Sequence, residues 1–479
     1  MKLFEIFMRQ RQQAIRFFVL ATLLCWVSAC STPIGVVRGT TQDVHYALTA
    51  NVLSSGEPST WSRQVLQRNN LVQRFDADAT ATLAELRKLL SQRGSEDRIQ
   101  DRLFALSELS FYHAEQSGNN EEYLASAIYA YAFLFPEDGA SRPDPFDPRL
   151  RLAADLYNLG LVRGLASVAG EEVVLQEGKL SLPFGALELS VDQSSYLWGA
   201  FRFKRFIPVG DFIVRGFSNR YRQAGIGAPL AAELEPVGAG PAADEARKRI
   251  PPRLKVPVTA FVQIDMPRRG VVDGNLKGRL VIYAADRTST VKINDREVPL
   301  ELEPTAALAY MLEGAPVWDF ELAGFRFTDK GQILGDGLIM MQPYRQGRIP
   351  VVLVHGTASS PARWADMINE LAHDPQIEGR YQFWLFQYNT GQPILYSAML
   401  MRRALANIVK ELDPDGKDPA LRQMVIAGHS QGGLLTKLIT IKSGNRFWEN
   451  ASKEPFDEVE MPSETRELLR EAAFFNPMP

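Results

Sequence analysis

Cysteine is nearly absent from this chain. Its 479 residues carry two, Cys25 and Cys30, both close to the amino terminus. A disulfide framework is therefore excluded for the bulk of the polypeptide, and stability has to come from apolar burial. Histidine is scarce as well: there are five, and the last is His429. No apolar run approaches a membrane span, since residues 17–29 supply 13 where a helix needs roughly 20. Neither sign of charge dominates. With 53 basic and 56 acidic residues the formal net charge is −3, which removes the electrostatic case for a nucleic-acid partner. Basic stretches such as 247–255 then read as solvated linker. Nothing calls for a metal or a cofactor.

What is present starts with a basic end, Lys2, Arg9, Arg11 and Arg16, followed by the apolar run. This is the order of a signal peptide. The run ends Val27-Ser28-Ala29-Cys30, which resembles a bacterial lipobox. The resemblance implies cleavage before Cys30 and acylation of its thiol. Ser31 in the next position implies outer-membrane rather than inner-membrane sorting. Small residues before Cys30 let a peptidase reach the backbone, and several acyl chains exceed what stable anchoring in a lipid bilayer requires. An ordinary secretory signal and an uncleaved anchor are the alternatives. Cleavage would also remove Cys25, leaving the mature chain without a disulfide.

After residues 1–30 the sequence divides into three stretches. Residues 31–166 read as a helical region, beginning with a polar, extended or loosely packed lead-in to about residue 55. Leu71, Phe75, Leu83 and Leu86, then Leu103, Leu106, Ser110 and Ala114, keep approximate helical spacing. Alanine among large aromatics over 123–135 resembles tetratricopeptide-type helix pairs, and an unspecialised helical cap is the alternative. Residues 167–335 shift toward a period of two and form a β-rich region. Strands are expected over 182–191, 256–264, 278–284 and 290–302, and a short helix over 304–312. Residues 230–252, rich in Ala, Gly, Pro and charge, read as a linker. The β-rich region supplies either the first antiparallel strands of a larger sheet or a small module packed against it.

Residues 336–479 alternate strand and helix at the spacing of a doubly wound α/β sheet. A strand region is expected over 332–343. Residues 349–354 are apolar throughout, as a strand covered on both faces should be. A helix follows over 361–371, a strand over 381–388, a helix over 394–412 and a strand over 424–427. The last strand runs into Gly428-His429-Ser430-Gln431-Gly432, a Gly-x-Ser-x-Gly turn that opens a helix. In that context the motif is a nucleophile elbow. Ser430 is the candidate nucleophile, held clear of the backbone on a strained turn. Gly428 and Gly432 are scaffold positions with no room for a side chain, and His429 is scaffold facing away from the seryl oxygen. His355-Gly356-Thr357 follows the strand over 349–354 and shapes a loop. There the Thr357 amide, or that of Gly356 or Ala358, pairs with the Gln431 amide as oxyanion donors. Trp364 and Phe386 are either walls of an acyl pocket or core.

The stretches 348–356, 381–388 and 424–433 together resemble bacterial lipoproteins of the α/β-hydrolase superfamily, related to lipases and esterases. The resemblance implies hydrolysis of carboxylic or lipid esters by Ser430, with amide cleavage and acyl transfer also open. In this fold an acid and then a histidine follow the nucleophile. After Ser430 the chain offers Glu449, Glu454, Asp457, Glu458, Glu460, Glu464, Glu467 and Glu471, and no histidine. Residues 468–475 read as the lead into another strand. The expectation is a chain truncated before the acid and histidine, the alternative a natural pseudoenzyme. In function, the competing reading is a non-catalytic envelope protein that binds a partner through its helical region.

Overall fold

A computed structural model describes residues 34–92, 95–137, 139–240, 244, 247–251, 253–313 and 337–478. Cys30 and the first part of the strand region expected over 332–343 lie outside the described residues. Two compact units are distinguished, one ending at Asn51 and one running from Val52 to Pro479. In the first, residues 41–49 form helix α1 (Thr41–Thr49) with every residue exposed, so the lead-in is loosely packed rather than extended. Thr40 and Asp43 cap each other's backbone amides reciprocally, which starts a helix locally without any tertiary partner.

The second unit opens with short helices α2 (Val52–Ser55), α3 (Thr60–Arg68), α4 (Val72–Ala77) and α5 (Ala79–Lys88). Longer helices α6 (Glu96–Ser117), α7 (Asn120–Leu134) and α8 (Arg149–Gly164) follow. Gly118, at φ 68°, ends α6, and the short turn reverses the chain into α7. Helix α8 lies hard against α7. A Cβ built at Gly160 would come 2.7 Å from Tyr123 O, and one at Gly164 2.8 Å from Leu124 N. One buried carboxylate organises the start of this bundle. Glu108 accepts from Val52 N, Ser59 N, Ser59 Oγ and Ser62 Oγ over 2.5–3.2 Å, so it caps two helices at once.

The elements that follow include β1 (Gly178–Leu182), β2 (Gly185–Val191), β3 (Leu197–Trp198), β4 (Phe201–Pro208), β5 (Ala228–Pro236), β6 (Val256–Asp265), α9 (Pro267–Asp273), β7 (Asn275–Ala284), β8 (Thr290–Ile293), β9 (Arg296–Pro299) and α10 (Pro304–Leu312). Seven of the strands form an open sheet in the order β1-β2-β7-β6-β5-β4-β3, while β8 and β9 form a separate hairpin. The fully buried Tyr157 of α8 joins bundle to sheet. Its hydroxyl donates to Val262 O (2.7 Å) and accepts from Val262 N (2.9 Å). The linker expected over 230–252 is corrected here. Its first part is the interior strand β5, with Leu230, Ala231 and Ala232 buried between β4 and β6. The basic run 247–255 is also not simply solvated: Ile250 and Leu254 are core, and Arg249 pairs with Glu411 at 2.5 Å.

The last part contains β10 (Gly337–Met340), β11 (Ile349–Val354), α11 (Ala365–Ala372), β12 (Tyr381–Gln387), α12 (Ile394–Leu412), β13 (Val425–Gly428), α13 (Gln431–Ile439), α14 (Arg446–Ala451) and α15 (Ser463–Ala473). Its sheet runs β10-β12-β11-β13, with β10 antiparallel to β12 and the other three strands parallel. Alternate residues of β11 point to opposite faces. Leu353 packs with Ile368 of α11, whereas Val352 and Val354 belong to the core shared with α12 and α13. The sheet is therefore covered on both sides, in a mixed α/β chain with open sheets. The β-rich region is mostly the separate module. It is tied to the second sheet by Thr305 Oγ1 to Asn369 Oδ1 (2.6 Å), Tyr221 Oη to Glu370 (2.6 Å), and an Arg345–Asp286 ion pair. The strand lead expected over 468–475 is instead mostly α15, whose amphipathic face packs on α12. Among the described residues no helix is long and apolar enough to cross a membrane.

Candidate active site

The chain leaves β11 toward β12 on one side and returns to β13 on the other. Strand order thus reverses at β11, and the crevice at the carboxyl ends of β11 and β13 is where open α/β sheets bind ligands. Two turns meet there, His355-Gly356-Thr357 after β11 and His429-Ser430 after β13.

Ser430 stands between β13 and α13 at φ 53°, ψ −121°, a conformation side chains rarely adopt. It is exposed, and its hydroxyl makes no hydrogen bond among the described residues. Close backbone approach explains the surrounding glycines. A Cβ at Gly428 would lie 2.3 Å from Gly432 O, and one at Gly432 would lie 2.4 Å from Val354 O. A Cβ at Gly356 would lie 2.9 Å from Ser430 Cβ, so that glycine sets how near the two turns come. His429 N donates to Val354 O (3.0 Å), extending the β11–β13 pairing into the turn.

The two turns are cross-linked. Thr357 Oγ1 donates to Gln431 Oε1 (2.7 Å), and Gln431 Nε2 donates to Thr390 O (3.3 Å) in the loop after β12. Thr390 Oγ1 accepts from Ala358 N (3.2 Å), so the Ala358 amide is already engaged. The amides of Thr357 and Gln431 have no acceptor among the described residues. Two unsatisfied main-chain donors beside an exposed serine are what stabilisation of a developing oxyanion requires. Thr390 carried no signal in the sequence, because its role comes entirely from the meeting of three loops.

His355 is buried, with Nδ1 3.1 Å from Gly356 O and its ring stacked on Tyr388 at 4.6 Å. Tyr388 Oη donates to the His355 carbonyl (2.8 Å). Burial lowers the imidazole pKa to about 4, against the weaker opposing effect of its hydrogen bond to the Gly356 carbonyl. The ring is thus neutral and built into the loop. His429 is exposed on the elbow. His113 Nε2 lies 3.2 Å from Thr80 Oγ1, and His373 stacks on Tyr221 with Nδ1 2.7 Å from Asn369 O. None of these rings is hydrogen-bonded to Ser430. Of the acids after the elbow, Glu471 pairs with Arg403 and Asp457 with Arg470. Phe386 is fully buried and packs with the core, the second of its two expected places. Trp364 packs with Ile368 and Leu371. Among the described residues no group of three His, Cys, Asp or Glu side chains is placed to hold a metal. No protein-family model, curated protein or solved structure matches this chain.

Proposed function

We propose that this chain carries the nucleophile and oxyanion site of a serine ester hydrolase built on an α/β-hydrolase sheet. The observation that carries the reading is the backbone of Ser430. A non-glycine residue at φ 53° is strained by ~1–3 kcal/mol, and here the strain lifts the hydroxyl out of a strand-to-helix turn at the switch point of a parallel sheet. In the proposed reaction Ser430 Oγ bonds to the ester carbonyl carbon. The carbonyl oxygen takes the electron pair and is held by the Thr357 and Gln431 amides. Collapse then expels the alcohol, and water hydrolyses the acyl-enzyme. Substrates of this class are carboxylic and lipid esters. The seryl proton passes to an imidazole base, which hands it to the departing alkoxide oxygen; in the α/β-hydrolase order of parts that base and its acid follow the nucleophile.

In the same reading Cys30 carries acyl chains that hold the protein to the bacterial envelope, at the outer membrane. The helical bundle offers a face to a protein partner, and its likeness to tetratricopeptide pairs rests on the alanine and aromatic pattern of residues 123–135. A second reading, a binding protein on a hydrolase-like scaffold, is favoured by the absence of a hydrogen bond to Ser430 Oγ among the described residues. Fluorophosphonate labelling of the protein isolated from its own cells separates the two. Hydrolase function requires a covalent adduct on Ser430 that Ser430→Ala abolishes. An unlabelled, folded protein leaves the binding reading.

A further inference from the structure

We propose a second ligand site, a groove between the helical bundle and the β8–β9 hairpin that takes the anion of a medium-chain fatty acid. None of its lining residues belongs to the elbow or to the loops around it. The groove encloses about 390 Å³, within the ~300–1,000 Å³ usual for small-molecule sites. Phe135, Leu150 and Val298 line it and are only half-buried, and Ile226 and Ile293 close the floor.

Its polar inventory is what selects the ligand. Pro143, Pro145 and Pro299 form part of the wall and have no N–H to offer. Two of the neighbouring amides are already used: Gly225 N donates to Glu301 Oε2 (2.8 Å) and Ile226 N to Pro299 O (2.9 Å). Asn294 Nδ2 donates to Pro136 O (3.2 Å), and Arg151 is held by Asp155 and Glu301. The remaining strong donors are the guanidinium groups of Arg142 and Arg296, both exposed and neither paired among the described residues. Glu297 is the one acid in the lining, against Arg142, Arg151 and Arg296, while Lys292 opposite it across the hairpin is paired with Asp295. The rim is therefore net positive.

A guanidinium binds a carboxylate through two parallel hydrogen bonds, and apolar walls accept a chain without directional contacts. A bound peptide would need main-chain partners along its length, and Pro143, Pro145, Pro299, Gly225 and Ile226 have no amide to spare. One charged end and a plain hydrocarbon body fit the inventory.

The test is titration of the full chain with sodium dodecanoate by calorimetry, beside dodecan-1-ol and a short peptide with an apolar carboxyl-terminal residue. The variant is Arg142→Gln with Arg296→Gln, two exposed positions whose change leaves the fold intact. Saturable binding of one dodecanoate, at least tenfold weaker in the double variant and at least tenfold weaker for the alcohol, is expected. No saturation, equal affinity in the double variant, or equal affinity for the alcohol overturns the proposal. Tighter binding of the peptide also overturns it, in favour of a protein partner. Replacing Ser430 leaves every arm unchanged, so the outcome is independent of the hydrolase reading.

Discussion

The Thr357 hydroxyl donates to the Gln431 side-chain carbonyl across 2.7 Å, so the two residues proposed as oxyanion donors hold each other in place. Gln431 in turn reaches Thr390 O at 3.3 Å, and Thr390 Oγ1 receives Ala358 N at 3.2 Å. Three loops from three strand ends are thereby locked into one arrangement. Donors that need no reorganisation when charge develops are the effective ones.

Thr357→Val keeps the side-chain shape and removes the tie. The expected loss of stability is about 1 kcal/mol, read from the urea midpoint. Labelling of Ser430 by a fluorophosphonate should slow by roughly 10- to 100-fold, because one donor is no longer aimed. The stability loss with unchanged labelling would make the tie purely structural.

The elbow makes two opposed predictions. Ser430→Gly relieves the positive φ of 53° and should raise stability by about 1 kcal/mol while eliminating any labelling. Gly432→Ala should do the reverse. Its Cβ would meet Val354 O at 2.4 Å and His355 O at 2.5 Å, both main-chain atoms that cannot swing aside. A loss of roughly 3 kcal/mol or more is expected, visible as a lowered melting temperature.

The elbow was legible in sequence because its demands are local: a strand, a strained serine and glycines where backbones touch. Strand β11 and the long helix α12 were legible for a similar reason, since burial on both faces or on one stripe writes a pattern into neighbouring residues. Strand β5 was not. Its Ala231 and Ala232 are fully buried by their neighbours β4 and β6, and alanine, proline and glycine carry no strand signal of their own. The contact of Thr390 with Gln431 spans 41 positions, and no periodicity could announce it. Helix α15 was missed because a short apolar stretch fits either period until its packing partner is known.

Glu108 should be the most sensitive single position of the helical bundle. It is fully buried and accepts four hydrogen bonds from the starts of α2 and α3. Glu108→Ala leaves four donors facing a cavity and should cost on the order of 3–4 kcal/mol in denaturant unfolding. Glu108→Gln keeps one acceptor oxygen but turns an NH2 group toward donors, so an intermediate loss is expected. Ser62→Ala removes only one of the four contacts, and about 1 kcal/mol is expected there.

Two buried groups give stability opposite slopes with pH, and substitution separates them. His355 has its pKa lowered to about 4 by burial. An unfolded histidine titrates near ~6.5, so the folded protein binds fewer protons between these values. The neutral ring's stabilisation is complete above ~6.5 and is lost as pH falls toward 4, about 3 kcal/mol in all. Glu122 is buried in α7 with its pKa raised to about 7, first by burial and then by the charge of Glu121. Its contribution is complete below the unfolded value near ~4.3 and is lost as pH rises through about 7. The two slopes offset each other in the wild type across the mildly acidic range. Glu122→Gln should therefore gain stability over wild type by roughly 2 kcal/mol on going from about pH 4.5 to about pH 8. His355→Gln should lose its disadvantage relative to wild type as pH is lowered from about 7 to about 4. Urea unfolding of the three proteins at matched ionic strength reads both effects. Parallel pH profiles for Glu122→Gln and wild type would show that the Glu122 carboxyl ionises as freely in the folded chain as in the unfolded one.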